Sequence, residues 1–147
     1  MFKQSYFIKV AVLASAVLMT ACAEMPKSST VAMTGALTAS AENPPNASTG
    51  TGNIAASLDK ETSKLKWTVS YAGLSGPVVA AHFHGPAQSG QNAGVVLGFQ
   101  GSLTSPIEGE ATLTAAQAAD VLAGKWYVNL HTKVNPGGEV RAQVVVK

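Results

Sequence analysis

The chain has 147 residues, 46% of them hydrophobic and 12% charged, which is enough for one ordinary domain with its own core and too little for a multidomain machine. Its formal charge of +2 belongs to the first 21 residues, where Lys3 and Lys9 stand without an acid; beyond them eight Lys/Arg match eight Asp/Glu, which excludes a basic surface for nucleic acid. The single cysteine, Cys22, excludes an internal disulfide and a zinc-finger site.

The chain opens with an address. Lys3 and Lys9 flank the start of an apolar run from Val10 to Leu18, and small residues follow as far as Ala21, the pattern of a secretory signal over residues 1–21. The run is shorter than the roughly 20 apolar residues of a spanning helix. Leu18-Met19-Thr20-Ala21-Cys22 resembles the bacterial lipobox, with Met19 where that motif usually has Leu. The resemblance implies that Cys22 is lipidated on sulfur and becomes the first residue of the mature protein. Each buried acyl CH₂ contributes about 0.8 kcal/mol, so two or three chains such as palmitate hold a soluble domain on a membrane. Ala23, where Asp would mark inner-membrane retention, implies the outer membrane of a bacterial cell envelope. The alternative is an ordinary signal peptide with Cys22 incidental. Residues 22–30, Ser-rich and containing Pro26, read as a tether.

From residue 31 to 147 the pattern is that of strands. Val31–Thr38 is the first candidate. Ile54, Ala56 and Leu58 alternate with Asn53, Ala55 and Ser57, and Leu65, Trp67, Val69 and Tyr71 alternate with Lys64, Lys66, Thr68 and Ser70. This period of two belongs to half-buried strands, and the polar stretch Asp59–Ser63 between them has the length of a hairpin connection. Val78–His84, Val95–Phe99, Gly109–Leu113, Lys125–Thr132 and Glu139–Val146 follow, separated by Gly/Pro/Asn-rich turns. Short strands so punctuated predict an all-β antiparallel sandwich or barrel. One short helix interrupts them, from Thr114 to Ala123, with a capping box between Thr114 and Gln117 and Gly124 as its stop.

All three histidines fall in two of these strands. In Val78–His84, strand alternation sends Val79, Ala81 and Phe83 to the core and His82 and His84 to the other face. Two residues span about 6.6 Å, near enough for both imidazoles to bend toward one ion. In the next pair of strands Trp126, Val128 and Leu130, then Val140, Ala142, Val144 and Val146, form the core set. Tyr127, Asn129 and His131, then Glu139, Arg141 and Gln143, take the opposite face. If these strands are neighbours, His82, His84, His131, Glu139 and Arg141 form one polar patch. Two readings of it stay open. It is a metal site of His82, His84 and His131, or a hydrogen-bonded structural cluster in which ring nitrogens bond backbone carbonyls. Met33 is the only methionine of the domain, which points to a nitrogen site rather than a soft one. No phosphate-binding loop, dinucleotide fingerprint, nucleophile elbow or Ser/His/Asp triad is present, so no catalytic residues are assigned.

In chain order, Glu42-Asn43-Pro44-Pro45, Ala81-His82-Phe83-His84-Gly85-Pro86-Ala87, Gly94-Val95-Val96, Leu122 to Thr132 and Asn135-Pro136-Gly137-Gly138-Glu139-Val140-Arg141-Ala142-Gln143 resemble the CHRD domain family, named from chordin and common in secreted bacterial proteins. Ala142 stands where the family usually has Gly. The resemblance implies an immunoglobulin-like antiparallel β-sandwich and says little about activity; the growth-factor binding of chordin belongs to an animal pathway and is not carried over. The family's His-x-His strand is also similar to the copper-ligand pattern of copper-zinc superoxide dismutases, but three histidines are too few for a dinuclear site of that kind.

The sequence therefore yields a membrane-anchored lipoprotein with a candidate mononuclear copper or zinc site at His82, His84 and His131. Asn129, Glu139 and Arg141 would orient the imidazoles from behind. A non-catalytic adhesion or interaction module is the second expectation, and an enzyme working through an open metal position the third.

Overall fold

The computed structural model describes residues 29–147. The expected signal peptide over residues 1–21, Cys22 and most of the expected tether, up to residue 28, lie outside the described residues. Nine strands and one helix follow: β1 (Thr30–Thr38), β2 (Thr51–Asp59), β3 (Lys64–Ala72), β4 (Val78–His84), β5 (Val95–Gly98), β6 (Ile107–Thr112), α1 (Ala115–Leu122), β7 (Tyr127–Thr132), β8 (Val140–Gln143) and β9 (Val145–Val146). The strands run β5-β4-β7-β8-β1-β2-β3-β6, with β9 also on β1, and the pairings are antiparallel. The only β1–β8 register pair is Thr38 with Arg141. At that narrow join the path folds over, and its two halves face each other as a β-sandwich.

The periodicity of the chain explains the core. Ile54 and Leu58 of β2, Leu65, Trp67 and Val69 of β3, and Phe83, Val128, Leu130, Val140 and Ala142 from the other half are all buried in one cluster. Trp67 meets Phe83 edge-on across the sandwich at 5.2 Å between ring centroids, and Phe99 stacks on Trp67 at 5.0 Å. The β2–β3 hairpin turns at Asp59, whose carboxylate accepts from the backbone N–H of Glu61 and Thr62. Helix α1 begins with the expected box: Thr114 Oγ1 accepts from the Gln117 backbone and Gln117 Oε1 accepts from the Thr114 backbone. Among the described residues no helix is long and apolar enough to cross a membrane.

Two core assignments need correction. Val79 is 50% exposed, and Val78 packs on the core instead. A register irregularity between Val78 and Ala80 inserts an extra residue there and reverses the alternation before it resumes at Ala81. Val146 is 45% exposed because the expected strand Glu139–Val146 breaks in two. Val144 still bonds Trp126, but Val145 and Val146 leave β7 to pair with Thr34 and Met33 of β1. The face opposite the core also differs from expectation, since Tyr127, Asn129 and Arg141 are buried on it. The loop 85–94 and the segment around Glu42 cover them, held by the bonds described next.

Candidate metal centre

Strands β4, β7 and β8 are neighbours, and the register puts His82, Asn129 and Arg141 in one row and His84, Tyr127 and Gln143 in the next. His131 sits opposite Ala80, one step along β7 from that row. Pleating then brings the three imidazoles together: one ring nitrogen from each of His82, His84 and His131 lies within 4.8 Å of the other two. His82 Nδ1 and His131 Nε2 are 3.2 Å apart, and the His82 and His84 rings meet nearly at right angles with centroids 5.5 Å apart.

Backbone carbonyls set two of the three rings. His84 Nδ1 bonds the Ala93 carbonyl at 2.9 Å, and His131 Nδ1 bonds the Pro136 carbonyl at 2.9 Å. A carbonyl only accepts, so each Nδ1 carries the proton and each Nε2 keeps its lone pair. The Nε2 of His84 is buried and has no hydrogen-bond partner. This is the arrangement metal-ligating histidines adopt, with the far N–H held by an acceptor. His84 is held further by Tyr127, stacked on it at 4.8 Å and 1°, and the Arg141 guanidinium lies 3.4 Å from the Tyr127 ring centroid.

The electrostatics disfavour the charged forms of His82 and His131. Burial lowers the His82 pKa, and the neighbouring His131 and His84 lower it again. Burial likewise lowers that of His131, against the Pro136 bond that raises it, and His84 adds to the lowering. Neutral rings offer lone pairs to a cation. In a tetrahedral zinc site with Zn–N near 2.0–2.1 Å, nitrogens lie roughly 3.3–3.4 Å apart. The His82–His131 pair already has that spacing, and the 4.8 Å limit means that the cluster closes by roughly 1.4 Å or less around an ion. Among the described residues no carbonyl bonds the His82 ring, which is held by His131 and His84 instead.

The expected supporting residues separate. Asn129 Oδ1 is 3.0 Å from His131 Nε2 and belongs to the site. Arg141 reaches His84 only through Tyr127; its guanidinium bonds the Gln91 carbonyl and Asn92 Oδ1, which secures the loop that carries Ala93. Glu139 does not join the histidines. It lies just before β8, is fully buried, and takes all its side-chain hydrogen bonds from Ser48, Ser75 and Thr132. Its pKa is lowered to about 2: burial raises it, and the bonds from these three residues outweigh burial.

Glu42 is the residue that sequence reasoning passed over. It is buried at the back of Asn129, with its pKa raised to about 7 by burial, against Arg141 and the Asn129 amide that lower it. Gly138, at φ +131°, makes the space: a Cβ there would sit 2.5 Å from Glu42 Oε1 and 2.8 Å from Asn129 Nδ2. The signal was present in Glu42-Asn43-Pro44-Pro45, since Asn43 exchanges bonds with Gly90 and Asn92 and so ties that motif to the loop over the site. A groove of about 690 Å³ lies on the β1-β2-β3-β6 half, lined by residues including Lys66, Glu108 and Lys147, and contains none of the histidines.

No curated protein and no solved structure matches the chain. The family model described as CHRD domain matches residues 33–144, from the fourth residue of β1 to the residue that follows β8. The match takes in every histidine and each residue that supports them, and the chain belongs to the CHRD domain family.

Proposed function

We propose that the protein is a lipid-anchored lipoprotein of the bacterial cell envelope, held in the outer membrane through Cys22, whose CHRD domain binds one copper or zinc ion at His82, His84 and His131 for storage, buffering or delivery. One observation carries the reading. The Ala93 and Pro136 carbonyls hold the Nδ1–H groups of His84 and His131, His131 Nε2 lies 3.2 Å from His82 Nδ1, and one ring nitrogen of each histidine lies within 4.8 Å of the other two. Imidazole donors suit zinc and copper alike, and the one methionine of the domain, Met33, is buried in the core away from the site.

Elemental analysis and calorimetry of the detergent-solubilised full-length protein test the reading. One copper or zinc per chain is expected, lost in His82→Ala. The 3.2 Å contact between His82 and His131 favours a second reading, a structural cluster in an adhesion or interaction module. On that reading no metal binds more tightly than roughly millimolar, about −4 kcal/mol, and His82→Ala lowers the melting temperature instead.

A further inference from the structure

An imidazole that ligates a metal does so as a neutral donor, whichever nitrogen it uses. The three rings therefore bring no negative charge to an ion. Among the described residues no carboxylate or thiolate joins the group of ligand atoms that lie within 4.8 Å of one another. Glu139, the acid that strand parity assigned to this face, directs its oxygens to Ser48, Ser75 and Thr132 instead. A divalent ion held by these rings would keep its whole charge beside a buried nitrogen, His84 Nε2.

The fixed charge behind the cluster is positive. Arg141 is 2% exposed, its guanidinium lies 3.4 Å from the Tyr127 ring centroid, and that ring stacks on His84 at 4.8 Å. These two steps place the guanidinium no more than about 8 Å from the His84 ring, and no more than roughly 11 Å from an ion on that ring. The hydrogen-bond partners of the guanidinium, the Gln91 carbonyl and Asn92 Oδ1, are uncharged, and Arg141 forms no salt bridge among the described residues. Glu42 is the carboxyl set against it, and burial raises the Glu42 pKa to about 7, so at roughly pH 6 this carboxyl is mostly uncharged. At an effective dielectric constant of about 20 and this distance, each added unit of charge on the ion is disfavoured roughly tenfold.

We propose that the site selects a monovalent ion, Cu(I), over Zn(II) and Cu(II), with the buried charge of Arg141 as the specificity-determining element. The proposal rests on the metal-binding reading and deepens it by naming the ion. Charge makes the selection rather than softness, since imidazole suits copper and zinc alike. The donor number agrees: Cu(I) forms stable three-coordinate complexes, whereas zinc takes a fourth ligand.

The test uses the detergent-solubilised full-length protein loaded with copper at about pH 6 and reads the one-electron potential of the bound ion. That potential reports the ratio of the Cu(II) and Cu(I) dissociation constants, at about 59 mV for each tenfold. Wild type is expected above the aqueous Cu(II)/Cu(I) couple, which makes Cu(I) the tighter ion. Arg141→Gln keeps an amide donor for the loop and removes the charge. Its potential should fall by about 59 mV, and its zinc Kd should fall about tenfold relative to that for Cu(I). Arg141→Lys disturbs the same bonds but keeps the charge, and should keep the wild-type potential. A wild-type potential below the aqueous couple overturns the proposal even if neither variant folds, and an unchanged potential in Arg141→Gln overturns it too. In both cases the three-histidine site stands. Wild type that binds neither copper nor zinc overturns both readings.

Discussion

Replacing Glu139 by Gln removes the charge that organises the junction between β7, β8 and the segments at Ser48 and Ser75. The carboxylate accepts from Ser48 Oγ at 2.6 Å, from the Ser75 backbone at 2.7 Å and hydroxyl at 2.6 Å, and from Thr132 Oγ1 at 2.5 Å. Those bonds hold its pKa at about 2 against an ordinary 4.5. At about 1.36 kcal/mol per unit, the ionised form contributes on the order of 3 kcal/mol. The sign follows from proton uptake: between the two values the unfolded chain binds the proton and the folded chain does not. The contribution is thus complete above pH 4.5 and is lost as pH falls through about 2. Urea denaturation of wild type and Glu139→Gln should therefore differ by about 3 kcal/mol at pH 7 and by about 1.4 kcal/mol at pH 3. Zinc affinity should be unchanged, because none of these bonds touches a histidine. A gap that is the same at both pH values, or below about 1 kcal/mol at pH 7, would refute the reasoning.

Glu42 behaves in the opposite sense. Its folded pKa is raised to about 7, so the stability that its protonation contributes is complete below pH 4.5 and lost as pH rises through 7; thermal melts of Glu42→Gln should lie above wild type at pH 8 and close to it at pH 5. Gly138→Ala forces a methyl group onto the Glu42 carboxyl and the Asn129 amide at a left-handed φ, and should destabilise by roughly 2–3 kcal/mol in denaturant titration while weakening zinc binding in calorimetry. Thr114→Ala removes half of the capping box of α1 and should cost about 1 kcal/mol in urea denaturation with zinc affinity intact.

The strands were legible wherever one face met the core and the other met solvent. Leu65, Trp67 and Val69 alternate with polar neighbours, and no other geometry buries all three together. The capping box of α1 was legible because it is local, closed between Thr114 and Gln117. Alternation failed at Val79 and Val146 for one reason, an irregularity in pairing. A bulge and a change of partner are set by the neighbouring strand and leave no mark in the residues that shift. The same limit applied to Glu139: read as part of a strand it belongs on the histidine face, whereas in the turn before β8 it meets Ser48 and Ser75, far away in sequence.

The candidate site divides along the same line. That His82, His84 and His131 share a face follows from strand parity, a property of spacing alone. That β4 and β7 are adjacent, that loop 85–94 brings the Ala93 carbonyl onto His84, and that Glu42 stands behind Asn129 are contacts between residues from 9 to 87 positions apart along the chain. Sequence by itself determined which residues can look the same way, because side-chain direction is set by the backbone of a single strand. Tertiary structure decided which ring nitrogens are held as N–H donors, because the carbonyls of Ala93 and Pro136 reach His84 and His131 only once the loop and turn that carry them are folded.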